Sequence, residues 1–141
     1  MSGIHHVIIS VNEFDRARVF YANLLPRLGY AASWEHPDPE RPSVGWLGAG
    51  GSFWIKAADR RYAADRFSKD RVGLCEVAFH AADRGTVEAL ARDIPTWGGT
   101  LIDAPREYPE YAPGYYAVFF TDPDGIKLEA VYLPGAAAAG R

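Results

Sequence analysis

His6-Val7-Ile8-Ile9-Ser10-Val11 alternates in polarity, and its pattern returns seventy positions later as Glu76-Val77-Ala78-Phe79-His80-Ala81. Val7, Ile9 and Val11 point one way and His6, Ile8 and Ser10 the other, as a strand with one apolar face requires. Each copy leads into a helix-like run and then a glycine. The first passes through Asp15–Tyr21 to Gly29, the second from Asp83 to Gly99. Under that offset His6 matches Glu76 and Gly29 matches Gly99. Glu129, in the last strand of the second copy, is a third metal-ligand type. Two such half-units can face one another across a pseudo-two-fold axis, which brings ligand-type residues on corresponding strands to a shared site.

The rest of each copy follows the same order. In the first helix Ala17, Phe20, Tyr21 and Leu24 have the spacing of a sheet-packing stripe. Asn12 or Asp15 is expected to cap it, and Pro26 with Gly29 ends it. A strand is expected around Tyr30–Trp34. Glu35–Pro42, with Pro37, Pro39 and Pro42, reads as a loop. Ser43–Leu47 and Ser52–Lys56 read as strands joined across Gly48-Ala49-Gly50-Gly51. The polar stretch 57–72 connects the halves. In the second half, strand Cys75–Ala82 precedes a helix near Asp83–Thr96 with Val87, Leu90, Ala91 and Ile94 inside. Strands follow at Thr100–Ile102, extending toward Glu107, and at Tyr115–Thr121. The turn Asp122-Pro123-Asp124-Gly125 then leads into Ile126–Tyr132. The fold class is α+β: two βαβββ modules forming a curved sheet with a central cavity and outer helices. One domain spans 1–135, with module one about 4–57 and module two about 74–133; residues 136–141 form a flexible tail.

Composition narrows the class. The chain has 141 residues, a net charge of −3 and one cysteine, Cys75. An acidic balance without a basic stripe gives no footprint for nucleic acid. No apolar run has the length of a membrane span. A lone cysteine forms no internal disulfide, and Met1–His6 lacks the charged and apolar regions of a signal peptide. The expected location is the cytoplasm. Aromatic residues at 13% suit a chain that lines a pocket as well as a core.

This order of elements, with these residues, resembles the vicinal oxygen chelate superfamily: glyoxalase I, fosfomycin-resistance proteins, extradiol dioxygenases and bleomycin-resistance proteins. The residues that carry the resemblance in the first half are His6-Val7, Phe20-Tyr21 and Gly29-Tyr30. In the second half they are Val77-Ala78-Phe79, Gly98-Gly99, Tyr115-Tyr116 and Asp122-Pro123-Asp124-Gly125 followed by Leu128-Glu129-Ala130. The likeness covers roughly residues 4–133. It implies a divalent metal ion (Mn, Fe, Ni, Mg or Zn) held by His6, Glu76 and Glu129, with substrate oxygens completing the coordination. Trp54 falls at the fourth ligand position, where an indole N–H can only donate. Many members carry His where this chain has Glu76, and that departure disfavours dioxygenase chemistry. Two carboxylates converging in a cavity resist ionisation unless a cation compensates them.

Around that centre, Trp54, Trp46 and Arg106 are candidate substrate-binding residues. The two indoles would meet a flat ligand, and the guanidinium an anionic oxygen. Tyr115 has inner-face parity and Tyr116 points outward. Tyr115 and His80 are the candidates for proton transfer; His80 also reads as a substitute ligand or an ordinary pocket residue, the last being the favoured reading. His5 faces away from His6 and is structural. Two functions follow. One is a metal-dependent glyoxalase-like enzyme stabilising an oxyanion or enediolate by Lewis acidity. The other is a metal-free binding protein of the bleomycin-resistance type with an aromatic cleft. The expected partner is a small molecule, with no nucleic acid and no membrane. A homodimer is expected because family members of this size pair.

Overall fold

The computed structural model describes residues 2–135, so the tail expected at 136–141 lies outside the described residues. The chain divides into two compact units, Met1–Phe67 and Ser68–Arg141. Each unit has the order β-α-β-β-β.

In the first unit the elements are β1 (His6–Val11), α1 (Phe14–Leu24), β2 (Ala32–His36), β3 (Ser43–Gly48) and β4 (Gly51–Ala57). The strand order is β1-β4-β3-β2, with β1 parallel to β4 and the other pairs antiparallel. One sheet face carries Ile9, Val11, Val44, Trp46, Phe53 and Ile55, all buried. The stripe of α1 covers it: Ala17, Phe20, Tyr21 and Leu24 are each 0% exposed. Each large side chain so buried stabilises the unit by roughly 1.5–3 kcal/mol. The ring of Tyr21 reaches Phe53 at 5.3 Å and Trp46 at 6.3 Å between centroids.

In the second unit they are β5 (Val77–His80), α2 (Arg84–Asp93), β6 (Thr100–Glu107), β7 (Tyr116–Thr121) and β8 (Lys127–Tyr132). The order β5-β8-β7-β6 repeats the first unit's, again with one parallel pair, β5 and β8. Val87, Leu90 and Ile94 pack onto the sheet at 0% exposure, beside Val118, Phe120 and Leu128.

The repeat holds at the level of register. Ile8 pairs with Trp54 in one unit and Ala78 with Glu129 in the other. The residue two before each first-strand partner is His6 or Glu76, so the seventy-residue offset is structural. The offset shortens by one at the helix ends. After α1 a 3-10 turn, Leu25–Leu28, closes on Gly29 at φ +91°. After α2 the turn Ile94–Trp97 closes on Gly98 at φ +92°. Gly98, not the expected Gly99, therefore corresponds to Gly29. Both adopt the left-handed conformation that favours glycine at a helix C-terminus.

Capping differs from expectation. The N-cap of α1 is Glu13, which makes no side-chain capping bond. Asn12 instead donates to the carbonyls of Tyr62 (3.1 Å) and Asp65 (3.3 Å), tying down the segment after β4. In α2, Asp83 accepts from the Thr86 backbone N–H at 2.7 Å and from its hydroxyl at 2.8 Å. Strand β5 is shorter than the sequence pattern suggests, and Glu76 stands just before it.

Candidate functional site in the second unit

The open face of the second sheet, opposite α2, holds a cleft of about 480 Å³. Alternation along β7 sends Tyr115, Ala117 and Phe119 to this face, and Tyr116, Val118 and Phe120 to the helix. Tyr116 donates to Glu88 of α2 at 3.0 Å, with the Arg84 guanidinium 4.6 Å from its ring. The expected parity of Tyr115 and Tyr116 is therefore the observed one.

The turn before β8 sets what that strand presents. Asp122 is 2% exposed, and its Oδ1 accepts from the N–H groups of Asp124 and Ile126, each at 2.9 Å. Gly125 at φ +84° completes the turn. The hairpin then pairs Thr121 with Lys127 and Phe119 with Glu129. Lys127 and Glu129 thus project into the cleft, with Leu128 turned to the core.

Strand β6 reaches the same face by irregularity. Its register with β7 slips between Leu101 and Asp103 and again between Asp103 and Arg106. Each slip adds an unpaired residue and reverses the alternation. Asp103 and Arg106 thereby both reach the exposed rim of the cleft.

The wall is aromatic. Tyr108, Ala117, Phe119 and Val131 form a small buried cluster against which Tyr115 packs. Tyr108 stacks on Tyr111 (5.4 Å, 8°) and meets Phe119 edge-on (5.3 Å, 76°). Tyr111 meets Tyr115 at 5.3 Å and 71°. The Arg106 guanidinium lies 3.7 Å from the Tyr108 ring centroid, and the Lys127 ammonium 5.1 Å from that of Phe119. Both are cation–π distances.

The polar groups are paired within the unit. Tyr115 donates its hydroxyl to Glu129 Oε2. Glu129 is 3% exposed, and burial pushes its carboxyl above the usual carboxylate range. The Tyr115 bond opposes that shift, the nearby Glu76 charge adds to it and Lys127 offsets it. The Tyr115 hydroxyl is driven well above its ordinary value, first by burial and then by its bond to Glu129. Lys127 Nζ lies 3.5 Å from Glu76 Oε2. Among the described residues, that same Glu76 oxygen and the Tyr108 hydroxyl are buried side-chain atoms with no hydrogen-bond partner.

The other candidates lie elsewhere. His80 is exposed at the end of β5, opposite Val131 and outside the cleft wall. Trp46 is 3% exposed in the core of the first unit, on the helix side of its sheet. Trp54 sits on the open face of the first unit, its Nε1 donating to Ser52 Oγ at 3.0 Å. Its ring lies flat over Gly45, where an added Cβ would come within 2.2 Å. His6 is exposed at the start of β1. His5 contacts it rather than facing away: their Nδ1 atoms are 2.8 Å apart, one ring donating and the other accepting. Sequence reasoning passed over Lys127, Phe119 and Asp103. Lys127 was within reach, since it lies two residues before Glu129 and shares its strand face.

A metal fits this arrangement poorly. Among the described residues no group of three or more His, Cys, Asp or Glu side chains is placed to hold an ion. In the second unit Lys127 stands beside Glu76, and the Tyr115 hydroxyl takes an oxygen of Glu129. One positive charge beside the two adjacent carboxylates is thus supplied by a side chain of the unit itself.

Comparison with known proteins agrees with this architecture. Over 128 residues the chain is 28% identical to the uncharacterized protein YqjT of Bacillus subtilis, spanning 91% of this chain and 97% of that one. A candidate glyoxalase from Bacillus halodurans shares 27% identity at a TM-score of 0.71, covering 92% of this chain and 95% of that one. A glyoxylase/bleomycin resistance protein/dioxygenase domain from Frankia sp. EAN1pec shares the fold at a TM-score of 0.75 and 20% identity, covering 94% and 98%. The family model of the Glyoxalase/Bleomycin resistance protein/Dioxygenase superfamily matches residues 3–130. With its repeated βαβββ units and a match over that span, the chain belongs to this superfamily.

Proposed function

We propose that this chain is a small-molecule-binding protein of the bleomycin-resistance type, and that its ligand sits in the cleft of the second unit without a metal. The observation that carries the reading is the pairing of the cleft's carboxylates. Glu129 accepts from the Tyr115 hydroxyl, and the Lys127 ammonium stands 3.5 Å from Glu76, so a cation of the protein already lies beside the two acids. Around them the rings of Tyr108, Tyr111, Tyr115 and Phe119 supply apolar surface for a flat ligand, and few polar groups are needed to orient it. A library of small aromatic acids, amines and neutral compounds, screened by saturation-transfer NMR, tests this. At least one class binds the native protein and loses its signal in Tyr111→Ala, whose ring is 62% exposed at the cleft. Failure of every class to bind contradicts the reading.

A second reading, a metal-dependent lyase, isomerase or transferase, keeps one observation in its favour. Glu76 and Glu129 project from one sheet face into one cleft, as metal-binding carboxylates would. His6, the third ligand the resemblance implies, lies in the first unit. Elemental analysis of protein purified without chelators separates the two. Metal near one equivalent, lost in Glu76→Ala and in Glu129→Ala, would displace the binder in favour of the enzyme.

A further inference from the structure

The hydrogen-bonding groups of the cleft determine what a ligand has to bring. Among the acceptors, Glu129 is hydrogen-bonded and Glu76 is ion-paired, although its Oε2 accepts no hydrogen bond. Glu129 is 3% exposed and holds the Tyr115 hydroxyl; Glu76 has Lys127 3.5 Å away. Asp103 is solvated at the outer rim. Two donors, the Lys127 ammonium and the Tyr108 hydroxyl, retain unused capacity, whereas the Tyr115 hydroxyl is held by Glu129 and Arg106 donates to the Glu107 carbonyl. An ammonium carries three N–H groups, and that of Lys127 faces one carboxylate oxygen and the apolar ring of Phe119. The Tyr108 hydroxyl has no partner although the residue is 4% exposed and lines the cleft. A buried hydroxyl left without a partner is disfavoured by the loss of its bond to water. Arg106 adds a second cation at the rim, lying over Tyr108 and spanning to Glu110 at 3.4 Å.

We infer that the cleft selects a ligand bearing an oxyanion on a flat apolar body, as an aromatic carboxylate does, with its oxygens accepting from Lys127 Nζ and the Tyr108 hydroxyl. The body of the ligand lies against Tyr111, Tyr115 and Phe119. Glu76 holds the ammonium in place, so Lys127 reaches the ligand already oriented. The two acidic neighbours do not repel the ligand at full strength. The charge of Glu76 is matched by Lys127, and Glu129 is engaged by the Tyr115 hydroxyl. A cationic ligand finds two cations in its path, and the buried Glu76 oxygen it would seek already faces the Lys127 ammonium. The inference rests on the cleft being the ligand site, and it adds the chemical class and the two residues that set it.

Calorimetric titration of the full chain with benzoate and with benzylamine tests it. The two probes share a ring and differ in charge. Benzoate binds the native protein at least about ten-fold more tightly than benzylamine. Lys127→Met weakens benzoate by roughly ten-fold or more, as loss of a hydrogen bond to a charged group does. Tyr108→Phe keeps the ring and removes a hydroxyl that bonds nothing among the described residues. It therefore folds at least as well, and it weakens benzoate roughly three- to ten-fold. Benzoate binding unmoved in both variants overturns the inference. Tighter binding of benzylamine, lost in Glu129→Gln, also overturns it while leaving the cleft as the ligand site. Binding of neither probe overturns it, and if the wider library is also silent the proposed function falls too.

Discussion

Ile8, Trp54, Gly45 and Trp34 form a row across the open sheet face of the first unit. Ala78, Glu129, Phe119 and Asp103 form the matching row in the second, on corresponding strands of the same topology. Behind each row a helix lays its apolar stripe on the sheet. In front, the two rows differ in chemistry. The first is aromatic and aliphatic, with Trp34 61% and Ile8 53% exposed. The second is built on a buried carboxylate, a lysine and a set of tyrosines. The contrast separates what makes the fold from what makes the site. Alternation toward the helix recurs in both copies and fixes the architecture. The opposite parity is free to differ, and there a ligand site can be placed in one copy alone.

The largest expected effects come from the helix-facing positions, where the units should behave alike. Phe20 and Leu90 occupy equivalent places seventy residues apart, each 0% exposed. Phe20→Ala should cost about 3–5 kcal/mol and Leu90→Ala about 2–5 kcal/mol in urea unfolding. A negligible loss at either would break the equivalence of the cores.

On the open faces the effects should diverge. In the first unit, Gly45→Ala drives a methyl group into the Trp54 ring, and overpacking of this kind costs about 1–3 kcal/mol. The indole fluorescence should shift with it. An unchanged spectrum and midpoint would show that Trp54 does not rest on Gly45.

In the second unit the test is pH. Glu129 has its folded-state value raised by burial above that of the unfolded chain. Well below the ordinary carboxylate value the group is protonated in both states and costs nothing. As pH rises, the unfolded chain ionises first, so stability falls through the window between the ordinary and the raised value. Glu129→Gln removes the titration and keeps an oxygen for the Tyr115 hydroxyl. It should raise the urea midpoint at pH 8 more than at pH 4. Equal shifts at both would mean that the carboxyl is not destabilised by burial.

The smallest effect contrasts the helix starts. Asp83→Ala should lower the midpoint, because Asp83 caps α2 through Thr86, whereas Glu13→Ala should lower it less, since the Glu13 side chain makes no capping bond. The bonds from Thr86 hold the Asp83 carboxyl below its ordinary value. Its contribution is therefore complete above the unfolded value and is lost as pH falls through the folded one. Urea midpoints of both variants at pH 7 and pH 3 check this, and a loss of the same size in both would contradict the contrast.

Most of the fold was legible because burial dictates it residue by residue. Val7, Ile9 and Val11 against His6, Ile8 and Ser10 is a two-residue period, and Ala17, Phe20, Tyr21 and Leu24 is a helical one; both are local. The turn Asp122–Gly125 was legible for the same reason. What escaped was decided by tertiary partners. Asn12 has the chemistry of a cap but finds carbonyls fifty residues on. Trp46 and Trp54 read alike in sequence, yet one parity packs Trp46 in the core and the other leaves Trp54 on the open face. Arg106 reaches the cleft rim through two register slips that no alternation predicts. Glu76 and Glu129 were legible as a converging pair of acids. That Lys127 answers their charge depends on counting parity back from Glu129.

The central claim is that the ligand is bound by the open face of the second unit. Amide and side-chain chemical-shift mapping, with benzoate or the tightest binder of the screen added to isotope-labelled full chain, tests it most directly. The account predicts saturable shifts at Tyr108, Tyr111, Tyr115, Lys127 and Glu129, with the indole N–H of Trp54 unmoved. Shifts confined to Ile8, Trp34 and Trp54 would contradict it and move the site to the first unit.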